Sequence, residues 1–263
     1  MFSPQDSPSG PVDKVRQHLK SVLSREYREL PYDPASLRIK HHVKRGASAA
    51  AALTDLAAEQ NIDLMVMGTE GRGGGGRLLL GSVASRVART APCDVLTVGR
   101  EAQQHVEYKR VMAPVDFSVA SKRGLLRAKE WAHLYGAELD VVHAVQERVE
   151  PLLGVNPGAS VSVRPQVERS IRGKLKEFCD DCGGPEVNTA FHIMKGEAGH
   201  TIVRNARQHD HDLVVLATHG RSGFKRFAMG SATQKVIRLA SCPVLTVRPQ
   251  PTADPDASHS ESP

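Results

Sequence analysis

The sequence predicts an α/β fold, doubly wound around a mainly parallel sheet, and three observations carry that prediction. First, residues 213–216 form an apolar run of strand length, 218–229 are rich in glycine and basic residues, and Gly230-Ser231 opens a segment with Val236, Ile237 and Ala240 on one helical face. A second apolar run follows at 244–247, after Cys242-Pro243 stops the helix. Second, this strand–loop–helix–strand stretch occurs twice. At a constant offset of 149 residues, 63–98 pairs with 212–247, and 18 of the 36 paired positions are identical. That period is the length of a small domain, not of a solenoid repeat. Third, residues 109–145 read as strand, helix, strand ahead of the second copy.

The remaining elements follow in order. Residues 1–12 are rich in proline and serine and are expected to be disordered. Val15, Leu19, Val22 and Leu23 give 13–30 a helical spacing with Asp13 as a candidate N-cap, and 37–43 alternate as a strand with one wet face. Alanine-rich 47–60 predict a helix, which leads through Asn61, Ile62 and Asp63 into the first copy's strand. Residues 13–100 form an incomplete first domain, 101–108 a polar linker and 109–248 a complete second domain. Within the second, 111–115 predict a strand, Asp116 or Ser118 caps a helix over 119–135, and 139–145 predict the next strand. A long connection at 148–165 leads to a helix over 167–178, a strand over 187–194 and a helix over 199–209. The tail, 249–263, is expected to be disordered.

Composition bounds the function. The 263 residues are 40% hydrophobic, carry a net charge of +6 and contain 4% aromatics with the single Trp131. The pI of about 9.2 raises nucleic acid as a partner. Scarce aromatics and the lack of a long Lys/Arg block argue against it, so the charge reads as a solvated surface with a local anion site. No apolar run reaches membrane-span length and the first ten residues contain no apolar signal region, so the expectation is a cytoplasmic protein with no membrane partner. Cys93 and Cys242 occupy matched positions before strands and read as packed thiols. Cys179-x-x-Cys182 has no second pair to complete a zinc site and ends a helix instead of starting one, which argues against metal and redox use. His209-Asp210-His211-Asp212 has metal-like residue types but fills the turn of Asn61-Ile62-Asp63, so it reads as a polar turn.

The first copy's loop has the spacing Gly68-x2-Gly71-x9-Gly81-Ser82. Glycines after a strand let a ligand approach the backbone, and a helix starting at Gly81-Ser82 points free amides and a positive end at the loop. Ser82 is a candidate N-cap or phosphate donor, with Arg72, Arg77, Arg221, Lys225 and Arg226 nearby in the two copies. These features fit a phosphate cradle; tight turns with ordinary N-cap serines fit the same residues.

With both copies in view, the chain resembles a tandem universal stress protein. The family's nucleotide motif, G-x2-G-x9-G-[ST], is matched by Gly68, Gly71, Gly81 and Ser82, and by Gly220, Gly230 and Ser231 with Ala217 in place of the first glycine. KRVMAPVDFS at 109–118 is similar to the family's strand and Asp loop, and LDVVHAV at 139–145 to its second strand. The resemblance covers nearly all of 109–248 and roughly 14–99. It implies a sheet of order 3-2-1-4-5, binding of an adenine nucleotide (ATP, with Mg²⁺ accompanying it), and a role in stress response. It also implies an internal pseudo-dimer of the two halves, with a homodimer beyond it. By the same resemblance, Pro114, Val115 and Asp116 hold base and ribose, and Ala144 offers backbone to adenine. Gly220, Gly230, Ser231 and the amide of Ala232 hold phosphates, with Arg221 as counter-charge.

Two departures set alternatives. In the implied order the strand missing from the first copy is central, and its loss leaves ladder groups unpaired. Either the native protein begins upstream of Met1, or this half is stabilised in another way. Ala217 puts a methyl where the ligand approaches closely, or where a turn needs positive φ. The alternative function is therefore a stress scaffold with degenerate sites and no nucleotide. A slow ATP hydrolase is a third reading. The loops contain no activated nucleophile or paired carboxylates, and His219, a conceivable general base, is Glu70 in the first copy, so no catalytic residue is assigned.

Overall fold

The computed structural model describes residues 38, 40, 42–69, 81–99, 108–146, 165–218 and 229–248. The chain divides into two compact units, 1–52 and 53–263. The described elements, in chain order, are α1 (Ala49–Glu59), β1 (Leu64–Gly68), α2 (Ser82–Thr90), β2 (Asp94–Val98), β3 (Arg110–Pro114), α3 (Val119–Tyr135), β4 (Glu138–Val145), α4 (Pro165–Asp180), β5 (Thr189–Lys195), α5 (Ala198–Gln208), β6 (Leu213–Ala217), α6 (Ser231–Leu239) and β7 (Val244–Val247). The helix expected over 13–30 lies outside the described residues. Of the strand expected over 37–43, the described positions Arg38, Lys40, His42 and Val43 are not in a strand.

The seven strands form one sheet of order β1-β2-β7-β6-β3-β4-β5. Every neighbouring pair is parallel except β2 and β7, which run antiparallel. Counted within the second copy alone, β3, β4, β5, β6 and β7 are strands one to five and stand in the order 3-2-1-4-5. The central strand β6 and its neighbour β7 are almost wholly apolar and buried throughout because both faces are covered. On one face Val111, Ala113, Leu139, Val141, Leu213, Val215 and Leu245 pack with Leu125, Ala128, Leu175 and Cys179 of α3 and α4. On the other, Met112, Val142, Met194, Val214, Leu216 and Val244 pack with Ile202 and Ala206 of α5 and Val236 and Ile237 of α6. The alternation along each strand assigns successive side chains to opposite cores.

The first copy contributes its last two strands to this same sheet. The seam is an antiparallel pairing of equivalent residues: Leu96 faces Leu245, Val95 faces Thr246 and Thr97 faces Val244. Leu96 and Leu245 are the same position of the repeat, so a local twofold axis passes between them. The seam's buried hydroxyls obey it. Thr97 Oγ1 donates to the Val244 carbonyl and Thr246 Oγ1 donates to the Val95 carbonyl, each at 3.1 Å. Thr97→Val and Thr246→Val should therefore cost equal amounts, about 1 kcal/mol each. Urea midpoints of the two variants that differ by more than the error would refute this equivalence.

The seam leaves β1 at the outer edge of the sheet. Val66 is 61% exposed and Leu64 37%, whereas their equivalents Val215 and Leu213, covered by β3 and α3, are 0% exposed. In place of a gap in mid-sheet, β1 stands at the edge of the seven described strands. The turn before each copy's β1 or β6 is alike too: Asn61 and Asp210, equivalent positions, both adopt φ 49°, a left-handed conformation that Asn and Asp tolerate.

Candidate functional site

At the carboxyl ends of β3, β4 and β6, where parallel α/β sheets open a crevice, lies a cavity of about 620 Å³. It is lined by Pro114, Val115, Asp116, Ala144, Ala217, Gly230, Ser231 and Ala232, all expected site residues, and also by Ser121, Val142, His143, Gln146, Ala198, Ile202, Leu216 and Thr233. Gly68, Gly81 and Ser82 do not line it; they sit at the ends of β1 and α2. Gly71, Gly220 and Arg221 lie outside the described residues, as do Arg72, Arg77, His219, Lys225 and Arg226.

The β3–α3 turn is built around Asp116. Val115 N–H donates to the Val142 carbonyl at 2.9 Å, which extends the ladder one residue beyond the strand. Ser118, not Asp116, caps α3: its Oγ accepts from Ser121 N–H. Asp116 Oδ1 instead accepts from Ser118 N–H at 3.1 Å and Ser118 Oγ–H at 2.5 Å. Its own N–H points at Ser121 Oγ, 3.4 Å away. A carboxylate has room for further donors beyond these two. Phe117 completes the turn with φ 64°.

The opposite wall is the β6–α6 junction. Here the serines are not caps. Gly81 and Gly230 occupy the N-cap positions of α2 and α6, and neither helix has a side-chain cap; Ser82 and Ser231 are the first helical residues. Gly230 N–H donates to the Thr218 carbonyl at 3.0 Å, and Gly81 N–H to the Thr69 carbonyl at 2.7 Å, the same closure in both copies. The first turn of α6, through Ser231, Ala232 and Thr233, opens onto the cavity with the positive end of the helix dipole. Thr233 Oγ1 is committed to the Ala217 carbonyl at 3.1 Å.

Ala217 needs no special backbone. Among the described non-glycine residues only Asn61, Phe117 and Asp210 have positive φ. Gly68, its counterpart, is not among the positive-φ glycines either. The expectation that this position demands glycine for its dihedral is thus overturned: it is the last residue of a regular strand. What remains is the methyl in the cavity wall. Close approach is needed instead on the other side of β6, where a Cβ on Gly124 of α3 would meet Ala217 N at 3.1 Å.

At the sheet's other end, His211 and Asp212 are more than a polar turn. Asp212 Oδ2 accepts from the backbone N–H groups of Lys109 and Arg110 at 2.7 and 2.9 Å. His211 donates through Nε2 to Asp140 Oδ2 at 2.7 Å, and His192 through Nε2 to Oδ1 at 2.9 Å. Burial alone would push the Asp140 carboxyl up; the hydrogen bonds and charges of His211 and His192 outweigh it and hold the group at about 2. The four cysteines are free thiols. Burial pushes Cys179 and Cys182 above the usual thiol value and Cys242 to about 12, and Cys182 Sγ donates to the Lys122 carbonyl. Among the described residues no three His, Cys, Asp or Glu side chains are arranged to hold a metal, and no helix is long and apolar enough to cross a membrane.

Comparison with known proteins places this architecture. The model of the universal stress protein family matches residues 3–99 and 107–248. "Universal stress protein A homolog 1" of Coxiella burnetii is 29% identical over 143 residues, covering 54% of this chain and 97% of that one. A universal stress protein of Mycolicibacterium smegmatis is 26% identical over 212 residues, covering 78% of this chain and 68% of its own. The crystal structure of a universal stress protein from Archaeoglobus fulgidus superposes with a TM-score of 0.62 over 93% of this chain and 84% of that one, at 17% identity, a likeness of fold.

Proposed function

The chain belongs to the universal stress protein family, and from that premise we propose that its second copy binds an adenine nucleotide, ATP, in the cavity at the ends of β3, β4 and β6, as a binding protein in stress response and not as a dedicated hydrolase. The observation that carries this reading is the convergence of two unlike walls on one cavity: the Asp116 turn and the uncapped first turn of α6. The apolar part of the wall, Val142, Ala144 and Ile202, suits a base; Asp116 suits ribose hydroxyls; the amides of Ser231 and Ala232 suit phosphate oxygens. The family motif assigns Gly220 and Arg221 to the same phosphates.

Asp116 is the one carboxylate among the described lining residues, and it belongs to the β3–α3 turn. Among the described lining residues Mg²⁺ is offered no second carboxylate, and a bound cation would be held mainly by phosphates and waters. No acid–base pair faces the position of a terminal phosphate among these residues, which is why turnover is not part of the proposal. Among the described residues no strand pair stands to Gly68, Gly81 and Ser82 as β3 and β4 stand to the second copy's cavity, so one nucleotide per chain is expected.

The test is a titration of ATP with Mg²⁺ by calorimetry. The expected result is one site, weakened about 100-fold by Asp116→Ala and changed less than about threefold by Ala217→Gly, since the backbone there is unstrained. Binding that appears only after Ala217→Gly would favour the alternative, a scaffold whose native site is closed by that methyl.

A further inference from the structure

We infer that His143 is the positioning residue of the nucleotide site, a latch that holds the Val115–Ser118 turn in its strained, binding-ready form. The inference deepens the nucleotide reading of the cavity and rests on it for its affinity measurement. His143 lies on β4, in register with Ile193 of β5, and is half-buried. Its Nδ1 stands 2.8 Å from the Val115 carbonyl oxygen. A carbonyl oxygen only accepts, so Nδ1 carries the hydrogen and the imidazole donates.

The same ring packs on the far end of the turn. Phe117 adopts φ 64°, a conformation unfavourable for a bulky non-glycine residue unless the surroundings enforce it. Its ring centroid lies 4.7 Å from that of His143 and 5.5 Å from that of Phe178 on α4. One imidazole therefore pins the residue before Asp116 by a hydrogen bond and the residue after it by packing. The Asp116 carboxylate, fixed locally by Ser118, takes its aim from the turn that those two neighbours hold. Without the latch, Phe117 relaxes toward negative φ, Val115 loses its second anchor, and the carboxylate leaves the cavity wall. The α6 end is expected to be untouched, because the hydrogen bond and the ring contact of His143 both go to the Asp116 turn.

This arrangement separates a hydrogen-bonding role from packing. Leucine fills the space without donating; asparagine can place an amide N–H near the Nδ1 position; glutamine carries the same amide one carbon too far. The experiment has two arms. In the ligand-free protein, amide hydrogen exchange is followed at Asp116 and Ser118, with β6 amides as the control for an intact fold. In the second arm, ATP and adenosine are titrated.

His143→Leu and His143→Gln are expected to speed exchange at Asp116 and Ser118 at least tenfold with β6 unchanged, and His143→Asn to stay within threefold of the native protein. The affinities for ATP and adenosine should fall by the same factor, about tenfold, in the Leu and Gln variants. By contrast, Ser231→Ala, which removes a hydroxyl from the α6 end of the cavity, should weaken ATP alone. Exchange within twofold of native in both the Leu and Gln variants would overturn the inference, as would an Asn variant as impaired as Leu, which would leave packing only. If the native protein binds neither ligand, the nucleotide reading falls, while the exchange arm still decides whether His143 holds the turn.

Discussion

Asp140→Ala is expected to destabilise the protein by about 3 kcal/mol, read as a fall in the urea midpoint at pH 7 with unchanged slope. The carboxylate is nearly enclosed, with 8% of its side chain exposed, and it accepts from three elements: Arg110 on β3, His192 on β5 and His211 before β6. The partners do not lose equally. Arg110 and His192 are 38% and 49% exposed and can turn to water. His211 is 1% exposed, and its Nδ1 already lacks a hydrogen-bond partner among the described residues. Removing Asp140 strands Nε2–H as well, at a cost of about 1–3 kcal/mol for a buried unsatisfied group, and the cavity adds to it. Asp140→Asn keeps one acceptor for His211 and should cost about half as much.

The same carboxylate has a pH signature. Its folded value, about 2, lies below the unfolded 3.8. Its contribution is therefore complete above about pH 4 and is lost as pH falls through the folded value. The difference corresponds to about 2 kcal/mol. Between pH 4 and 2 the native protein should lose that much more stability than Asp140→Asn. Parallel pH dependences for the two, or an alanine variant within 1 kcal/mol of native at pH 7, would show that the cluster is only a surface ion pair.

This cluster marks a limit of what the sequence discloses. The strand–loop–helix–strand order was legible because apolar runs of strand length and an amphipathic helix are local signals, and the repeat shows them twice. The Asp116 turn and the α6 junction could be named because both sit at the ends of such runs. Asp140 stands inside the apolar run LDVVHAV, and a charge there needs buried partners. That was a signal, but not one that names His192 and His211, which come from 52 and 71 residues away. By residue type and spacing His211 belongs to a polar turn, and neither shows that its ring is buried against Asp140. Ser82 and Ser231 looked like caps by residue type; Gly81 and Gly230 take that position instead, closing onto Thr69 and Thr218. Thr233 and His143 carried no mark in the sequence, since Ala84 is the equivalent of Thr233 and the repeated stretch, 63–98 with 212–247, does not include β4.

Leu96→Asp is expected to release the first copy's strands while the second copy's sheet stays folded. Leu96 is buried in the core shared by β3, β6 and β7, on the twofold of the seam opposite Leu245. An aspartate there loses the buried isobutyl group, about 2 kcal/mol, and sets an unpaired carboxylate in apolar surroundings, for a total above about 4 kcal/mol. The damage should be local. β2 is held to the rest by three residue pairs, by the two threonine hydroxyls and by bonds that Asp94 accepts from Arg127 and Arg248 N–H. Beyond it, β1 pairs with β2 alone among the described strands. β3 to β7, by contrast, pair among themselves and are covered by helices on both faces. Limited proteolysis of Leu96→Asp should therefore cut within 53–107 and leave a resistant fragment containing 108–248, and exchange at β2 amides should rise by at least 100-fold over that at β4. Leu245→Asp, the same change on the other side of the axis, strikes the sheet that must survive and should unfold both halves together. Two variants at equivalent positions would then differ in kind, because the seam joins a strand pair that cannot stand alone to a sheet that can. Protection of β2 unchanged in Leu96→Asp, or global unfolding by both, would show that the seam is not where the chain divides.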